Sequence, residues 1–174
     1  MSAETIRERY AVAPLQPHHD RGGFRCGVES LDRYLQQQAS QDVKRRVASV
    51  FVAEHRPSAV IHGFYALSMS AVGLDLLPAD VARKMPRYPT VPAVRLGRLA
   101  VHEDARGVGL GAYLLADSMA RSLRSEIAWS AFLVDAKDAV ARSFYARFGF
   151  QSLLDDVNHL VLRRNAIEPL FAAS

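Results

Sequence analysis

The chain contains one cysteine, Cys26, in 174 residues. No intrachain disulfide can form, so a scaffold built on cross-links is excluded and a reducing compartment fits. A long apolar run is also missing. The longest stretch without a charged side chain, Pro57 to Leu74, carries Ser58, His62, Gly63, Ser68 and Ser70. That pattern suits strands and loops, not a membrane span. Glu4, Arg7, Glu8 and Arg9 stand where a secretory leader would need its apolar core. The expected setting is the cytoplasm, with no membrane partner. Metal-ligand spacing is lacking too. His18 and His19 are adjacent, which is expected to point their rings apart, so no metal site is expected. Cys26 has no histidine at a suggestive spacing and reads as a small buried hydrophobe, not a nucleophile.

What is present is ordinary for a globular protein: 49% hydrophobic and 23% charged residues. Disorder and fibrous classes are excluded, and the chain is long enough to bury a core unaided. No repeat, linker or low-complexity segment appears, so one domain spanning residues 1–174 is expected. The charge is unevenly spread. From Val81 to His102 there is no acid, while Arg83, Lys84, Arg87, Arg95 and Arg98 fall inside. Lys44, Arg45 and Arg46 form a second basic cluster. Such stretches suit either a polyanion or a solvated face.

Apolar periodicity predicts a mixed α and β domain. Strands are expected at residues 10–16, 47–53, 60–69, 93–101, 128–134, 150–153 and 159–162. Residues 47–53 and 60–69 should form a hairpin across Arg56-Pro57-Ser58. A helix capped by Ser30 should run to about residue 43, with Leu31, Tyr34, Leu35 and Gln38 or Ala39 inward. Ala79–Lys84 reads as a short helix. Gly109–Arg124 reads as a strong one, its inner face Ala112, Leu115, Ala116, Met119 and Leu123. Asp138 should cap a last helix with Ala141, Phe144, Tyr145 and Phe148 inward, ended by Gly149.

The sharpest local signal runs from Val101 to Ala112. An apolar strand enters a turn, and Gly107, Gly109 and Gly111 then open an amphipathic helix. Glycines let backbone N–H groups approach an anion, and the helix start adds unpaired donors and a positive dipole end. Arg106 adds a cation able to fork onto a phosphate. A P-loop is excluded, because no Lys-Ser or Lys-Thr follows the last glycine. The dinucleotide fingerprint is formally met by Gly107, Gly109 and Ala112 with Glu126, but that loop belongs after a first strand, and here most of the chain precedes it.

Arg106-x-x-Gly109-x-Gly111, placed after Leu96-Gly97-Arg98-Leu99-Ala100-Val101, resembles the acetyl-CoA signature of the GNAT N-acetyltransferases. Tyr145-Ala146-Arg147-Phe148-Gly149-Phe150 resembles the family's C-terminal element. Phe24-x-Cys26-Gly27, Ser30-Leu31-Asp32 and Leu35 are similar to the opening of the acetyltransferase toxins of bacterial toxin–antitoxin pairs. The resemblance covers about residues 14–163. It implies the GNAT fold: α and β, a mostly antiparallel sheet of six to seven strands with helices on both faces. It implies acetyl-CoA as co-substrate, held by Leu99, Ala100, Val101, Arg106, Gly107, Val108, Gly109, Leu110, Gly111, Ala112 and Phe144. It further implies aminoacyl-tRNA as acceptor, a ribbon-helix-helix antitoxin as partner, a homodimer and arrest of translation. Many relatives have Asn where this chain has Asp138, which is therefore expected to serve only as a cap.

Tyr145 is the expected general acid toward the leaving thiolate, since a phenol stays protonated at neutral pH. No carboxylate lies on the strand 93–101, where many relatives carry Glu. A lysine near pKa 10.4 would then cost roughly 3 kcal/mol more to deprotonate than an α-amine near 8. A site without a base should therefore prefer the α-amine. Lys44, Arg45, Arg46, Arg83, Lys84, Arg87, Arg95 and Arg98 are the candidate tRNA contacts. Transfer to a small amine or a protein N-terminus, without toxicity, is the alternative activity. A catalytically dead sensor or nucleic-acid module is a third reading, which intact Arg106, Gly109, Gly111 and Tyr145 oppose.

Overall fold

The structure is a computed structural model that describes residues 1–172. Seven strands form one sheet, ordered β1-β2-β3-β4-β5-β7-β6. They are β1 (Tyr10–Pro14), β2 (Ser49–His55), β3 (Val60–Gly73), β4 (Thr90–Val101), β5 (Ala131–Asp135), β6 (Gln151–Ser152) and β7 (His159–Arg163). The β4–β5 pairing is parallel, whereas β1–β2, β2–β3, β5–β7 and β6–β7 are antiparallel. The expected mixed, mostly antiparallel sheet is thus present. The helices are α1 (Ala3–Arg9), α2 (Glu29–Arg33), α3 (Ala39–Lys44), α4 (Ala79–Ala82), α5 (Leu110–Leu123), α6 (Ala139–Ala146) and α7 (Arg164–Ile167). Neither α1 nor α7 is expected from periodicity. α1 buries only Ile6, and α7 only Ile167, too little to show as a stripe. The chain groups into two compact units, Met1–Leu67 with Arg98–Met119, and Ser68–Gly97 with the chain from Ala120 on.

In the first unit, the β2–β3 hairpin pairs Val52 with Phe64, and its apolar face joins Phe24, Tyr34, Leu35, Ile61 and Ala100 in one core. α2 and α3 are joined by a π-helical turn, Tyr34–Gln38, so one helical segment runs from Glu29 to Lys44. Ser30 does not cap it. Val28 holds that place without a side-chain bond, and Asp32 Oδ1 instead accepts the N–H of Cys26 at 2.8 Å. A carboxylate in the first turn favours this end of the helix and ties the preceding turn to it.

α5 buries Leu110, Leu114, Leu115, Ser118 and Met119. The expected face is therefore rotated: Ala112, Ala116 and Leu123 lie at its margin, half-buried. A hydroxyl tolerates this interior because Ser118 Oγ donates to the Leu115 carbonyl at 2.6 Å. The helix lies so close to β3 that a Cβ on Gly63 would stand 2.7 Å from Leu114 Cδ1 and 3.2 Å from the Ala100 oxygen.

In the second unit, β5 is flanked on both sides, and all of Ala131 to Val134 is buried. Its unbroken apolar run follows from having no solvent face. Val72, Leu77, Val81, Val91, Ala93, Leu133 and Val161 pack with it. The β4–β5 ladder runs from Ala93↔Ala131 to Leu96↔Val134 and stops, while β4 continues to Val101. On α6 only Tyr145 is buried. Phe144 and Ala141 are half-buried, Phe148 is 40% exposed and Val140 79% exposed, so the expected inner face is narrower. An eight-residue helix meets its unit along one line, and the Arg147 guanidinium lies 5.7 Å from the Phe144 ring.

Overpacking at the close approach tests the docking of α5. Gly63→Val should lower unfolding free energy by about 1–3 kcal/mol in urea titration, with far-ultraviolet dichroism preserved.

Candidate active site

In the first unit, the glycine loop begins where β4 ends. His102 caps the short 3₁₀ turn Glu103–Ala105: its Nδ1 accepts the Asp104 N–H at 3.2 Å, which leaves Nε2 to donate to the Gly23 carbonyl at 3.3 Å. The Glu103 N–H donates to the Arg25 carbonyl at 2.9 Å. Arg106 Nη2 donates to the Cys26 carbonyl. Three bonds thus fasten the loop to the Gly23–Cys26 turn. Gly27 takes φ +79°, which strains any L side chain, and a Cβ there would also stand 2.8 Å from Arg106 Nη2. Gly107 and Gly109 both take positive φ, +75° and +90°, so the loop turns back into α5 without Cβ strain.

Leu110 and Ala100 bury their side chains, so only their backbone is available to a ligand. Leu99, Val101, Val108, Gly111 and Ala112 are half-buried, while Arg106, Gly107 and Gly109 are exposed. α5 begins at Leu110, directly after the loop, so its first-turn amides lie at the loop's end. Arg106, expected to grip a phosphate, uses its Nη2 to hold the loop.

His62, stacked between His55 and His102, is held below the usual histidine range by burial and by these two neighbouring imidazoles.

In the second unit, Asp138 caps α6 as expected, its Oδ1 accepting the Ala141 N–H at 2.8 Å. Gly149, at φ +90°, ends the turn that follows. Tyr145 is only 4% exposed, its ring 5.7 Å from Phe150 and 5.2 Å from Phe144. Burial, and then the charge of Asp135, push its phenol well above the usual range. Asp135 ends β5, where Arg95 Nη1 meets its Oδ1 at 2.7 Å. β4 itself carries no carboxylate, and the parallel β4–β5 pairing brings this one beside it, a long-range partner that no local motif marks.

The candidate tRNA contacts fall into different settings. Lys44, Arg45 and Arg46 are exposed at the end of α3, and Arg83, Lys84 and Arg87 are exposed after α4. Lys84 lines a cavity of about 340 Å³ with Phe148, Gln151 and Arg163. Arg95 is engaged by Asp135. Arg98 is half-buried, its guanidinium 3.8 Å above the Tyr34 ring, whose hydroxyl donates to Asp42 at 3.1 Å. Burial and Asp42 push that phenol up to about 12.

His18 and His19 do not diverge. They lie in a turn, where side chains need not alternate, and their centroids are 4.2 Å apart. Both approach Glu54, and the three are the metal-like group found among the described residues. Yet His19 Nδ1 accepts the Gln16 N–H at 2.8 Å, which leaves Nε2 protonated and donating to Glu54. A ligating imidazole needs the opposite arrangement. Cys26 is buried, as expected of a packing cysteine.

The profile of the GNAT acetyltransferase domain matches residues 46–152. The chain is an acetyl-CoA-dependent N-acetyltransferase of the GNAT fold. A "tRNA-acetylating toxin" of Mycobacterium tuberculosis is 37% identical over 145 residues, 82% of this chain and 85% of that one. AtaT complexed with acetyl-methionyl-tRNAfMet has a TM-score of 0.82 at 28% identity, covering 93% of this chain and 99% of that one. AtaTR bound with acetyl-CoA has a TM-score of 0.79 at 28% identity, covering 94% and 99%. The chain belongs to the GNAT toxin family. No helix among the described residues is long and apolar enough to cross a membrane.

The loop fastening and the histidine stack each generate a test. Gly27→Ala should weaken acetyl-CoA binding at least several-fold by calorimetry, because the new methyl group strains the turn and displaces Arg106. For His62 the folded pKa lies below the unfolded one, so its contribution is present above about pH 6.5 and lost as pH falls. Wild type should therefore lose stability relative to His62→Gln as denaturant midpoints are measured from neutral pH downward.

Proposed function

We propose that this enzyme transfers acetyl from acetyl-CoA to the α-amino group of aminoacyl-tRNA, so that translation stops. The observation that carries this reading is the likeness, across most of both chains, to the tRNA-acetylating toxin of M. tuberculosis. We further propose cytoplasmic action as a homodimer and neutralisation by a ribbon-helix-helix antitoxin.

The residues have distinct parts in this reading. The loop from Arg106 to Ala112 receives the pyrophosphate on its amides and on the start of α5. Main-chain groups of Leu99, Ala100 and Val101, beyond the end of the β4–β5 ladder, pair with the pantetheine arm as an added strand. Phe144 offers an apolar contact to the same cofactor. The acceptor nitrogen attacks the thioester carbonyl, the carbon–sulfur bond breaks, and the Tyr145 phenol gives its proton to the thiolate. A phenol raised by burial is still protonated when the thiolate, whose thiol titrates near 8.5, departs. Exposed Lys44, Arg45, Arg46, Arg83, Lys84 and Arg87, with Arg95 and Arg98, supply the field for tRNA phosphates. Binding should therefore weaken steeply with salt.

The test is transfer of labelled acetyl by the purified enzyme to charged tRNA and to a lysine-rich peptide. Charged tRNA should be labelled on its α-amine, and uncharged tRNA should not. Faster labelling of the lysine peptide, or of a small amine, would overturn the reading. Tyr145→Phe should lower kcat by about 10²–10⁴ with acetyl-CoA affinity unchanged.

A further inference from the structure

The second unit holds a carboxylate, Asp135, that has no part in the acetyl transfer set out above. Asp135 is the last residue of β5 and the first beyond the parallel ladder, which stops at Leu96↔Val134. Arg95 grips it through one oxygen only, Nη1 to Oδ1 at 2.7 Å, and Arg95 is itself steadied by Ser70 Oγ, 3.4 Å from its Nε. His159 Nε2 stands 3.9 Å from the same Oδ1 and 3.9 Å from Asp156 Oδ2. Oδ2 is turned the other way, 4.0 Å from where a Cβ on Gly97 would stand. Both partners keep about a third of their side-chain surface accessible, 31% each. Arg–carboxylate pairs frequently engage both oxygens through the guanidinium fork. Here one oxygen is clamped, and the other faces a glycine. The carboxylate is also near enough to Tyr145 for its charge to act on the phenol.

We propose that Asp135 is a catalytic residue whose free oxygen stabilises the positive charge that grows on the attacking amine, and that Arg95 positions it. The inference rests on the transfer to an α-amine set out above. A neutral amine that attacks a thioester gains positive charge as the nitrogen–carbon bond forms. A fixed carboxylate favours that change most in the transition state and intermediate, where the charge develops. The carbon–sulfur bond then breaks, the thiolate takes the Tyr145 proton, and the nitrogen loses its extra proton to water. Water restores the phenol, so no further reactant is needed.

The same carboxylate raises the pKa of every ammonium beside it alike, so the choice of acceptor stays with the amines' own pKa difference. Beside it, any ammonium ion is held in its charged, inert form. An α-ammonium near pKa 8 still releases a useful neutral fraction, whereas a lysine near 10.4 releases almost none. The absent carboxylate on β4 is thus replaced by one on β5 that acts by charge, not as a strong base.

Asp135→Asn keeps the shape and the bond to Arg95 and removes the charge. Its kcat with charged tRNA should fall about 10- to 100-fold, with acetyl-CoA affinity unchanged. Asp135→Glu should recover part of the loss. Arg95→Gln should lower kcat as well, and Arg95→Lys should restore some of it. A readout without substrate accompanies these. In alkaline difference spectra against the matching Tyr145→Phe background, the Tyr145 phenol should titrate at lower pH in Asp135→Asn than in wild type. A kcat for Asp135→Asn within twofold of wild type, or an unmoved phenol titration, would overturn the proposal. If wild type leaves charged tRNA unlabelled, the proposed acceptor fails. The same variants are then assayed on a peptide with a free N-terminus, where loss of the 10-fold drop would separately overturn the role of Asp135.

Discussion

The bond from Arg106 to the Cys26 carbonyl organises the first unit. A loop with two positive-φ glycines is conformationally loose, and a loose loop cannot present its amides to an anion at low entropic cost. The guanidinium removes that looseness by anchoring the loop to a turn that is itself anchored, through Asp32, to the start of α2. His102 fixes the same junction from the other side. The consequence reaches back into composition. Gly27 takes a φ that favours glycine, and a Cβ there would also crowd Arg106, seventy-nine positions further along the chain.

Much of this architecture was legible in the residues. Alternating Val and Phe marked the β2–β3 hairpin, the glycine series marked the start of α5, and Asp138 and Gly149 marked the bounds of α6. These are local signals, written in backbone chemistry within one turn or strand. What escaped depended on partners far along the chain. The rotation of α5 toward Leu110, Leu114 and Ser118 follows from contact with Gly63, which no helical periodicity reveals. Ser30 looked like a cap because of its type, yet Asp32 was better placed to bind the amide of Cys26.

The candidate site was legible to the same degree and for the same reason. Tyr145, Arg106 and the glycines stand in short motifs. Asp135 stands in none. It acquires its setting from strand pairing, with Arg95 forty positions earlier and His159 on the antiparallel neighbour β7. Arg95 and Arg98, read from charge alone as equivalent, are in different circumstances: one is bound to a carboxylate, the other lies on an aromatic face. Counting basic residues cannot separate the two, because each environment is set by a strand or helix distant in sequence.

The seat of Arg98 on Tyr34 has a thermodynamic corollary. A guanidinium resting over an aromatic ring, as Arg98 does 3.8 Å from the Tyr34 centroid, has surrendered part of its torsional freedom, yet the ring face consumes none of its N–H donors. An oxyanion arriving edge-on would meet donors whose orientation is settled beforehand, with little disorder left to lose. Lysine, a spherical charge on a supple tether, has no flat face to rest there and would offer no such readiness.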